Sequence, residues 1–309
     1  MLAQPTLFEM EDPKYDEAKS TANGKIFTIS RDKSGDHKIN FEDIEWEYLE
    51  GDGDFRSKEI TKLRDQSDII VTNPPFSLFR EFLAWITEGK KDFLVIGNMN
   101  GITYKEVFPL IMHNKIWLGV TNFNTGMYFK VPHEFVYADS YKFERERNGE
   151  KVNRVPGVCW FTNIDHGRRH QPLPLMTKAD NLRFSKHKEI KGKKNYDKYD
   201  NYEGIEVPFV DSIPSDFTGV MGVPISFLDK YSPEQFEIVG SDAYDGTPPT
   251  KKYSKKEKVV DGERMRSVTG TMGCVIKRAE FGSGTYFDVG YPVQAVYKRI
   301  FIKHRESDK

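Results

Sequence analysis

Four consecutive residues, Asn73, Pro74, Pro75 and Phe76, carry the groups that could do chemistry together. The two prolines fix the backbone φ at about −65° and remove two N–H donors, so the segment is stiff and its carbonyl oxygens remain as acceptors. One amide and one aromatic ring beside these acceptors suit a flat ring with an exocyclic NH2 group, such as adenine. The alternative is a structural turn whose Phe76 ring packs in the core.

The flanking residues predict how this segment is held. Residues 69–71 form an apolar run that predicts a buried strand, and residues 78–86 predict a helix. In this helix Leu78, Phe82 and Trp85 share one face, which favours core packing over a contact surface. Strand, stiff loop and helix form the arrangement in which open α/β sheets bind ligands at the carboxyl ends of their strands.

Strands and helices alternate from residue 44 to residue 120. The predicted strands are residues 44–49, 69–71, 92–97 and 116–120, and the predicted helices are residues 57–66 (with Ser57 as N-cap), 78–86 and 103–114. This alternation predicts an α/β fold with a doubly wound, mostly parallel, Rossmann-like sheet, to which residues 158–163 return as a further strand. Later apolar runs predict a β-rich C-terminal region, at residues 221–228, 236–240, 272–277, 285–289 and 295–303.

The residues at 73–76 resemble the (Asp/Asn/Ser)-Pro-Pro-(Tyr/Phe/Trp) motif of S-adenosylmethionine-dependent amino-group methyltransferases. A longer resemblance, to the EcoRI-type adenine-specific DNA methylases, runs in order over roughly residues 45 to 240. The segments that carry it are residues 51–57, 73–81, 96–98, 102–106, 115–119, 159–165 and 222–228.

The resemblance implies an enzyme that methylates adenine N6 in flipped-out double-stranded DNA, in a restriction–modification or phage-linked setting with a cognate restriction endonuclease. It implies S-adenosylmethionine as cofactor and a catalytic role for Asn73, Pro74, Pro75 and Phe76. The cofactor would be bound by Asp52, Asp54, Phe55 and Asn73, with Asp54 accepting from the adenine N6 of the cofactor. The alternative for residues 51–54 is an acidic turn whose glycines supply a positive φ.

The resemblance also leads us to expect a Gly-rich or acidic cofactor loop before residue 44, and none is evident there. We therefore expect residues 1–43 to form an irregular N-terminal segment and residues 44–165 to form a methyltransferase core that lacks the family's first strand, helix and cofactor loop. A permuted loop at residues 280–285 has one glycine too close and precedes apolar alternation, which favours a glycine hairpin turn.

Residues 166–309 are predicted to form a DNA-contact and target-recognition region. The basic cluster (residues 166–170) contains Arg168 and Arg169, and the basic–aromatic segment (residues 183–202) alternates lysines with tyrosines. Cations interleaved with aromatic rings suit a phosphate backbone and unstacked bases. The candidate DNA contacts are Arg168, Arg169, Lys191, Lys193, Lys194 and Tyr196. A solvated lysine-rich loop remains the alternative for the second stretch.

The composition sets outer limits. The 309 residues have a net charge of −1, so any contact with DNA must come from local patches. Two distant cysteines, no secretory leader and no apolar run of about 18 residues favour the cytoplasm and no membrane contact. Residues 32–43 place oxygen-bearing side chains as a calcium loop does, but His37 replaces the turn glycine and Asp43 replaces the bidentate Glu, so an ordinary polar loop is favoured and no metal is expected.

Two competing functions remain open from the residues. An Asn-Pro-Pro-aromatic loop also serves methyltransferases that act on RNA or on a protein glutamine. A chain without a cofactor loop could instead be an inactive remnant that only binds DNA, and this would show salt-sensitive DNA binding without binding of S-adenosylmethionine.

Overall fold

The computed structural model describes residue 10 and residues 12–33, 35, 37–39, 43–121, 125–242, 251–271, 274–279 and 284–305. The chain divides into two compact units. The first comprises Met1–Ile70 and Glu81–Lys91, and the second comprises Val71–Arg80 and Asp92–Lys309.

The first unit contains a two-stranded antiparallel sheet of β1 (Lys25–Thr28) and β2 (Glu45–Tyr48), and the helices α1 (Glu17–Ala22) and α2 (Lys58–Gln66). The predicted N-cap is confirmed, because the Ser57 hydroxyl accepts a hydrogen bond from the Ile60 N–H at 3.2 Å. Among the described strands β2 pairs only with β1. The predicted strand at residues 44–49 therefore forms, but it does not join the larger sheet.

A four-stranded sheet has the order β3-β4-β9-β5. Its strands are β3 (Ile69–Thr72), β4 (Asp92–Asn98), β5 (Trp117–Leu118) and β9 (Val158–Thr162). The prediction of a mostly parallel sheet is corrected here, because β9 runs antiparallel to both β4 and β5. The chain reaches β9 from β8 (Glu150–Val155) through the short turn at Gly157, where φ is +74°. This short connection suffices because only a parallel strand requires a long crossover, which is usually a helix.

The strand before the proline segment is less buried than predicted. Ile69 is 54% exposed and Val71 is 63% exposed, so alternate side chains of β3 face solvent. The physical reason is position, because β3 lies at the edge of its sheet with a single neighbour. β4 is covered as its continuous apolar run predicts, with Phe93, Val95 and Ile96 buried.

The helices that follow these strands begin with tighter turns. A 3₁₀ helix (Phe76–Leu78) leads into α3 (Phe79–Glu88). The single helix predicted at residues 103–114 is instead a 3₁₀ helix (Met99–Thr103) followed by the short α4 (Phe108–Met112). Pro109 explains the difference, because it lies in the first turn of α4 and a proline in a helix interior loses a backbone hydrogen bond. The fifth helix, α5, is Lys178–Phe184.

The predicted β-rich C-terminal region is confirmed. A three-stranded sheet of order β6-β8-β7 precedes it, with β6 (Met127–Lys130) and β7 (Glu146–Arg147). A four-stranded sheet has the order β10-β11-β18-β12, with β10 (Ile205–Glu206), β11 (Met221–Pro224), β12 (Phe236–Ser241) and β18 (Arg299–His304). A five-stranded sheet has the order β14-β13-β16-β17-β15, with β13 (Lys252–Val260), β14 (Glu263–Thr271), β15 (Ile276–Arg278), β16 (Thr285–Asp288) and β17 (Pro292–Ala295).

A buried ion pair ties two strands of the C-terminal four-stranded sheet. Arg299 Nη2 of β18 lies 2.6 Å from Glu206 Oε1 of β10, and both side chains are at most 10% exposed. The Tyr199 hydroxyl donates to the same carboxylate, so neither charge is left unsatisfied in the interior. In the part of the chain that is described, no helix combines the length and the apolar character needed to cross a membrane.

Candidate functional site

The four residues singled out by their chemistry form a surface corner in the second unit, and we call residues 73–76 the proline corner. Asn73 and Pro75 are exposed, Pro74 is buried, and the Phe76 ring is 43% exposed. The structure therefore favours the functional interpretation over a structural turn with Phe76 in the core. The corner presents an amide and a ring to solvent on a backbone that two prolines hold stiff.

Two acceptors at the corner have no partner. Among the described residues, none makes a hydrogen bond to the Asn73 side chain or to the Pro74 carbonyl. The Pro75 carbonyl differs, because it accepts from the Leu78 N–H at 2.9 Å. The expectation that all the carbonyls of this segment stay free therefore holds for Pro74 and not for Pro75.

A buried ring anchors the corner to β4. Phe79 is 2% exposed and packs against Phe161 at a centroid distance of 5.0 Å. A Cβ placed on Gly97 would lie 2.5 Å from the Phe79 ring, so only glycine admits this close approach. Residues 98–101 were predicted as a small polar loop at the carboxyl end of β4, and Phe79 packs against this loop at Gly101. The available signal was the pair of glycines, Gly97 and Gly101, opposite two phenylalanines.

The predicted cofactor residues lie in the first unit, apart from Asn73. Arg56 holds the Asp54 carboxylate through Nε at 2.9 Å and Nη2 at 2.7 Å. These hydrogen bonds, with the Arg56 backbone N–H and the guanidinium charge, lower the pKa of Asp54 to about 2. The guanidinium also donates to Glu81 at 3.2 Å. The Asp54 carboxylate is thus ionised and held in place, and Arg56 takes up part of its capacity to accept hydrogen bonds.

The loop that contains Asp54 is itself well ordered by hydrogen bonds. The Glu59 carboxylate accepts from the backbone N–H of Glu50 at 2.9 Å and of Gly51 at 3.3 Å, and Asp52 accepts from the Asp54 N–H at 3.0 Å. Gly53 has a φ of +84°, as the acidic-turn alternative requires. The turn geometry and a binding role are compatible, because a hydrogen-bonded turn holds its carboxylates in place.

An adenosine group fits this loop in two respects and conflicts in one. Asp54 supplies an ionised acceptor, and a Cβ placed on Gly51 would meet no atom within 4 Å, so the space over the turn is open. The Phe55 ring, in contrast, packs edge-on against Phe82 at 5.2 Å and Trp85 at 5.5 Å. At least two of its contacts therefore belong to the core of the first unit.

The basic cluster is engaged inside the second unit. Arg168 donates to the Asp229 carboxylate at 2.7 Å and to the Val120 carbonyl, and the Asp229 side chain is only 5% exposed. The Arg169 guanidinium lies 3.7 Å from the centroid of the Trp117 ring, and burial lowers its pKa. Neither arginine can reach a phosphate without breaking these contacts.

The basic–aromatic segment separates its two kinds of residue. Tyr196 is 4% exposed and donates its hydroxyl to the Ser212 carbonyl at 2.6 Å, so it is not placed to stack on a base. Lys193 pairs with Asp197 at 2.9 Å. Lys191 and Lys194 are exposed and make no ion pair with any residue that the structure describes. The solvated-loop alternative thus describes the lysines, whereas the tyrosine belongs to the core.

The other candidate sites predicted from the sequence have less structural support. Asp32 accepts from the N–H of Gly35 and of His37, each at 2.7 Å, which is the pattern of a polar loop. Ser34, Asp36 and Asn40 of the calcium-like stretch lie outside the described residues, as do residues 280–283 of the glycine loop. The described residues contain no group of three metal-ligating side chains. Burial raises the pKa of the Cys159 thiol to about 12, which makes it a poor nucleophile.

Comparison with known proteins places the chain in a family of methyltransferases. The family described as adenine-specific methyltransferase EcoRI matches residues 4–304. The chain is 42% identical over 226 residues to the type II methyltransferase M.EcoRI of Escherichia coli and 38% identical over 220 residues to the type II methyltransferase M.MpnI of Mycoplasma pneumoniae. These alignments cover 73% and 70% of this chain, and each spans 65% of the relative's length. No solved structure matches the chain significantly.

Proposed function

The chain belongs to the EcoRI family of adenine-specific methyltransferases, and on this premise we propose that it transfers a methyl group from S-adenosylmethionine to N6 of an adenine flipped out of double-stranded DNA. The alignments reach about two thirds of the relatives' length, so this activity is proposed for the chain and not carried over from them. The observation that supports it most is the proline corner, where an amide and a carbonyl without a hydrogen-bond partner in the described part of the chain lie within four residues of each other, together with an exposed ring.

We propose that Asn73 and the Pro74 carbonyl accept the two hydrogens of the adenine N6 amine. The amine is a poor nucleophile because its lone pair is conjugated with the ring. Two acceptors fixed on a proline backbone favour the tetrahedral nitrogen that attacks, and they need no reorganisation during the reaction. Phe76 stacks on the base, and Pro75 keeps the turn rigid. Stacking and pocket contacts offset the cost of extruding the base, which is about a few kcal/mol.

S-adenosylmethionine, when bound, supplies the methyl group at a sulfonium, so that the N6–carbon bond forms, the carbon–sulfur electron pair stays on sulfur, and N6 loses a proton to solvent. We propose that Asp52, Asp54 and Phe55 hold the adenosine part. Asp54 can accept from the adenosine N6 through lone pairs that Arg56 does not use. Glu81 offers Arg56 a second partner if the carboxylate is needed in full.

The proposed DNA surface is narrower than the candidate set from the sequence. Lys191 and Lys194 remain as phosphate contacts, with Lys193 able to join them by leaving Asp197. Arg168, Arg169 and Tyr196 are assigned to holding the fold. We keep residues 166–309 as the proposed target-recognition region, residues 44–165 as the proposed core, and a cytoplasmic restriction–modification setting with a cognate endonuclease as the proposed context.

Transfer of a labelled methyl group from S-adenosylmethionine to DNA, RNA and protein, assayed in parallel, tests this proposal. We expect label in double-stranded DNA, recovered after hydrolysis as N6-methyladenine. Label in RNA or in a protein glutamine instead would assign the corner to one of those substrates.

A second candidate function is a DNA-binding remnant without transferase activity. The observation that favours it is the engagement of the Asp54 carboxylate by Arg56 and of the Phe55 ring by Phe82 and Trp85. This candidate is supported if DNA binds with a steep salt dependence and no methyl group is transferred.

A further inference from the structure

A cavity outside the proline corner lies in the second unit. Its volume is about 290 Å³, and it is formed by the turn after β4, the start of the Ile225–Lys230 3₁₀ helix and the residues before β18. Five polar residues lie on its wall: Asn100, Thr103, Ser226, Tyr297 and Lys298. A cavity of this size with a few converging polar groups is typical of a site for one small planar ligand.

The cavity is structurally connected to the proline corner. Gly101 lies between two cavity residues, Asn100 and Thr103, and a Cβ placed on it would come within 3.2 Å of the Phe79 ring. Phe79 follows the corner by three residues, which is about 6 Å along a 3₁₀ helix. The buried Phe79 ring therefore packs on the backbone of the turn that carries two of the cavity's polar residues.

Three of the cavity residues, Asn100, Tyr297 and Lys298, are exposed, whereas Ser226 is half-buried and Thr103 is buried. Tyr297 is 75% exposed, compared with 43% for Phe76, and its hydroxyl has no partner among the described residues. The Lys298 ammonium makes a long contact to the Thr103 hydroxyl, at 3.4 Å, and its charge also acts on Asp242. The side chains of Asn100 and Ser226 likewise make no hydrogen bond to any described residue.

Proteins bind unpaired nucleotides with an aromatic ring that stands beside an exposed cation. A base stacks on the ring, and the cation meets the adjacent phosphate. Amide and hydroxyl groups facing the same space can bond the polar edge of the base. A single exposed ring is ordinary on a protein surface, but this one stands at a polar cavity next to a lysine.

We propose that this cavity is a nucleotide subsite, in which Tyr297 stacks on an unpaired base, Asn100 and Ser226 bond its edge, and Lys298 contacts its phosphate. The inference rests on the proposed function, because that function brings an opened DNA strand to the corner. The unpaired nucleotide is a neighbour of the target adenine that flipping leaves unstacked, because the proposed function places the target adenine itself at the corner, and the kinetics of the variants test this assignment.

The first experiment measures binding of fluorescein-labelled, mixed-sequence single-stranded and duplex DNA to the full chain by anisotropy at several salt concentrations. Tyr297→Ala should weaken single-strand binding roughly 5- to 100-fold, the range for one base–aromatic stack, whereas Tyr297→Phe should stay within about 2-fold. Lys298→Gln should lower the slope of log K against log salt by about 0.7.

Matched controls use residues of the same types elsewhere in the second unit. Phe143 is a 39% exposed ring beside Arg154, and Lys303 lies within β18, about 16 Å of extended chain after Lys298. Phe143→Ala and Lys303→Gln should each change binding by less than about 2-fold. If Tyr297→Ala behaves like Phe143→Ala, or if the wild-type chain binds no single-stranded DNA, the subsite is refuted.

A second experiment assigns the occupant. If the target adenine enters the cavity, Tyr297→Ala lowers kcat of methyl transfer, and if a neighbour enters, it raises KM for DNA with kcat kept. Weaker S-adenosylmethionine binding by calorimetry, with DNA binding unchanged, would overturn the inference in favour of a cofactor site. A wild-type chain that transfers no methyl group while Tyr297→Ala still loses DNA binding would refute the proposed function and leave the subsite standing.

Discussion

The proline corner (residues 73–76) and the basic–aromatic segment (residues 183–202) both combine polar groups with aromatic rings, and both were predicted to contact bases. In the structure they differ. The corner exposes the Asn73 side chain and the Phe76 ring, and the Pro74 carbonyl has no hydrogen-bond partner among the described residues. In the basic–aromatic segment, the Tyr196 and Tyr199 rings are buried, at 4% and 7% exposure, whereas the lysines and the Phe184 ring reach solvent.

The difference comes from what each residue type needs when it folds. Prolines lack a donor, so a di-proline turn makes fewer backbone hydrogen bonds and leaves acceptors open. A tyrosine buries a large apolar ring and requires a partner for its hydroxyl, and here Tyr196 finds the Ser212 carbonyl and Tyr199 finds Glu206. Residue type alone therefore does not tell a contact surface from a packed face, whereas the count of unsatisfied groups does.

The largest expected effect is at the corner. Asn73→Ala removes a side chain without described contacts, so it should reduce methyl transfer roughly 100-fold or more while the free energy of unfolding changes by less than about 0.5 kcal/mol. Radiolabel transfer, DNA anisotropy and denaturant titration measure the three quantities. Ser77→Ala, an exposed neighbour in the same turn, is the control and should retain activity. A loss of stability that accounts for the loss of transfer would assign Asn73 a structural role. The corner would then no longer differ from the basic–aromatic segment in leaving its polar side chain available for contact.

Arg168→Ala should act on stability and not on DNA contact. Its removal leaves Asp229 in the interior without its guanidinium partner, and we expect a loss of about 2 to 3 kcal/mol in the free energy of unfolding, somewhat below the value for a fully buried pair. Lys194→Gln, an exposed residue without an ion pair in the described part, should change it by less than about 0.5 kcal/mol. The assignment of Arg168 to the fold fails if Arg168→Ala weakens DNA binding at unchanged stability.

The lysines of the basic–aromatic segment should behave in the opposite way. The double variant Lys191→Gln, Lys194→Gln should leave the unfolding midpoint unchanged and lower the slope of log K against log salt for duplex DNA by about 2, because each phosphate contact contributes about 0.9. An unchanged salt slope would remove this segment from the DNA surface.

Tyr196→Phe sharpens the comparison within the segment. The variant keeps the ring but removes the hydroxyl that bonds the Ser212 carbonyl, so the free energy of unfolding should fall by about 1 kcal/mol with DNA affinity unchanged. Tyr297→Phe loses a hydroxyl that has no described partner and should not change stability. A drop in DNA affinity for Tyr196→Phe would return this residue to the contact surface.

The smallest expected effect is a pH dependence in the basic cluster. His170 donates through Nε2 to Asp165 at 2.8 Å and through Nδ1 to Glu234 at 2.7 Å, and these bonds raise the pKa of His170 and lower the pKa of both carboxyls. The imidazolium stabilises the fold fully below the unfolded-state pKa of about 6.5 and loses this effect as pH rises through its folded pKa. The carboxylates contribute above about pH 4.5 and lose their effect as pH falls.

Wild type and His170→Gln should therefore differ most in melting temperature between about pH 5 and 6.5, and the difference should shrink as pH rises through the raised pKa of His170. Thermal unfolding at a series of pH values measures this. A difference that grows towards pH 8 would show that His170 does not act through these two carboxylates.

The sequence identified local elements better than their pairing. Residues 92–97 were predicted as a covered strand because residues 93–96 form a continuous apolar run, and β4 confirms this. The antiparallel entry of β9 and the exposure of β3 depend on neighbours far away in the chain, so periodicity could not reveal them. Two hairpins were missed although the sequence carried a local signal for each. Asn148-Gly149 and Asp261-Gly262 are residue pairs typical of type I′ turns, and both adopt the positive φ that these turns require.

At the candidate site, too, local features could be predicted from the sequence and long-range ones could not. Asn73 and Phe76 were predicted from residue type and context, and the structure adds that both are exposed and that the Asn73 side chain has no hydrogen-bond partner among the described residues. The engagement of Asp54 by Arg56 was within reach of sequence reasoning, since the two residues are separated by one position in a turn. Tyr297 carried no pattern at all, because its cavity is assembled from three segments that lie more than 70 residues apart.

The central claim is that this chain holds a methyl donor as well as an amine-binding corner. Titration of S-adenosylmethionine into the full chain by calorimetry tests it most directly, with Asp54→Ala and Asp65→Ala as site and control variants. The account predicts saturable binding at one site per chain, weakened by Asp54→Ala and unaffected by Asp65→Ala. No detectable binding to a folded wild-type chain would contradict it and leave only the DNA-binding remnant.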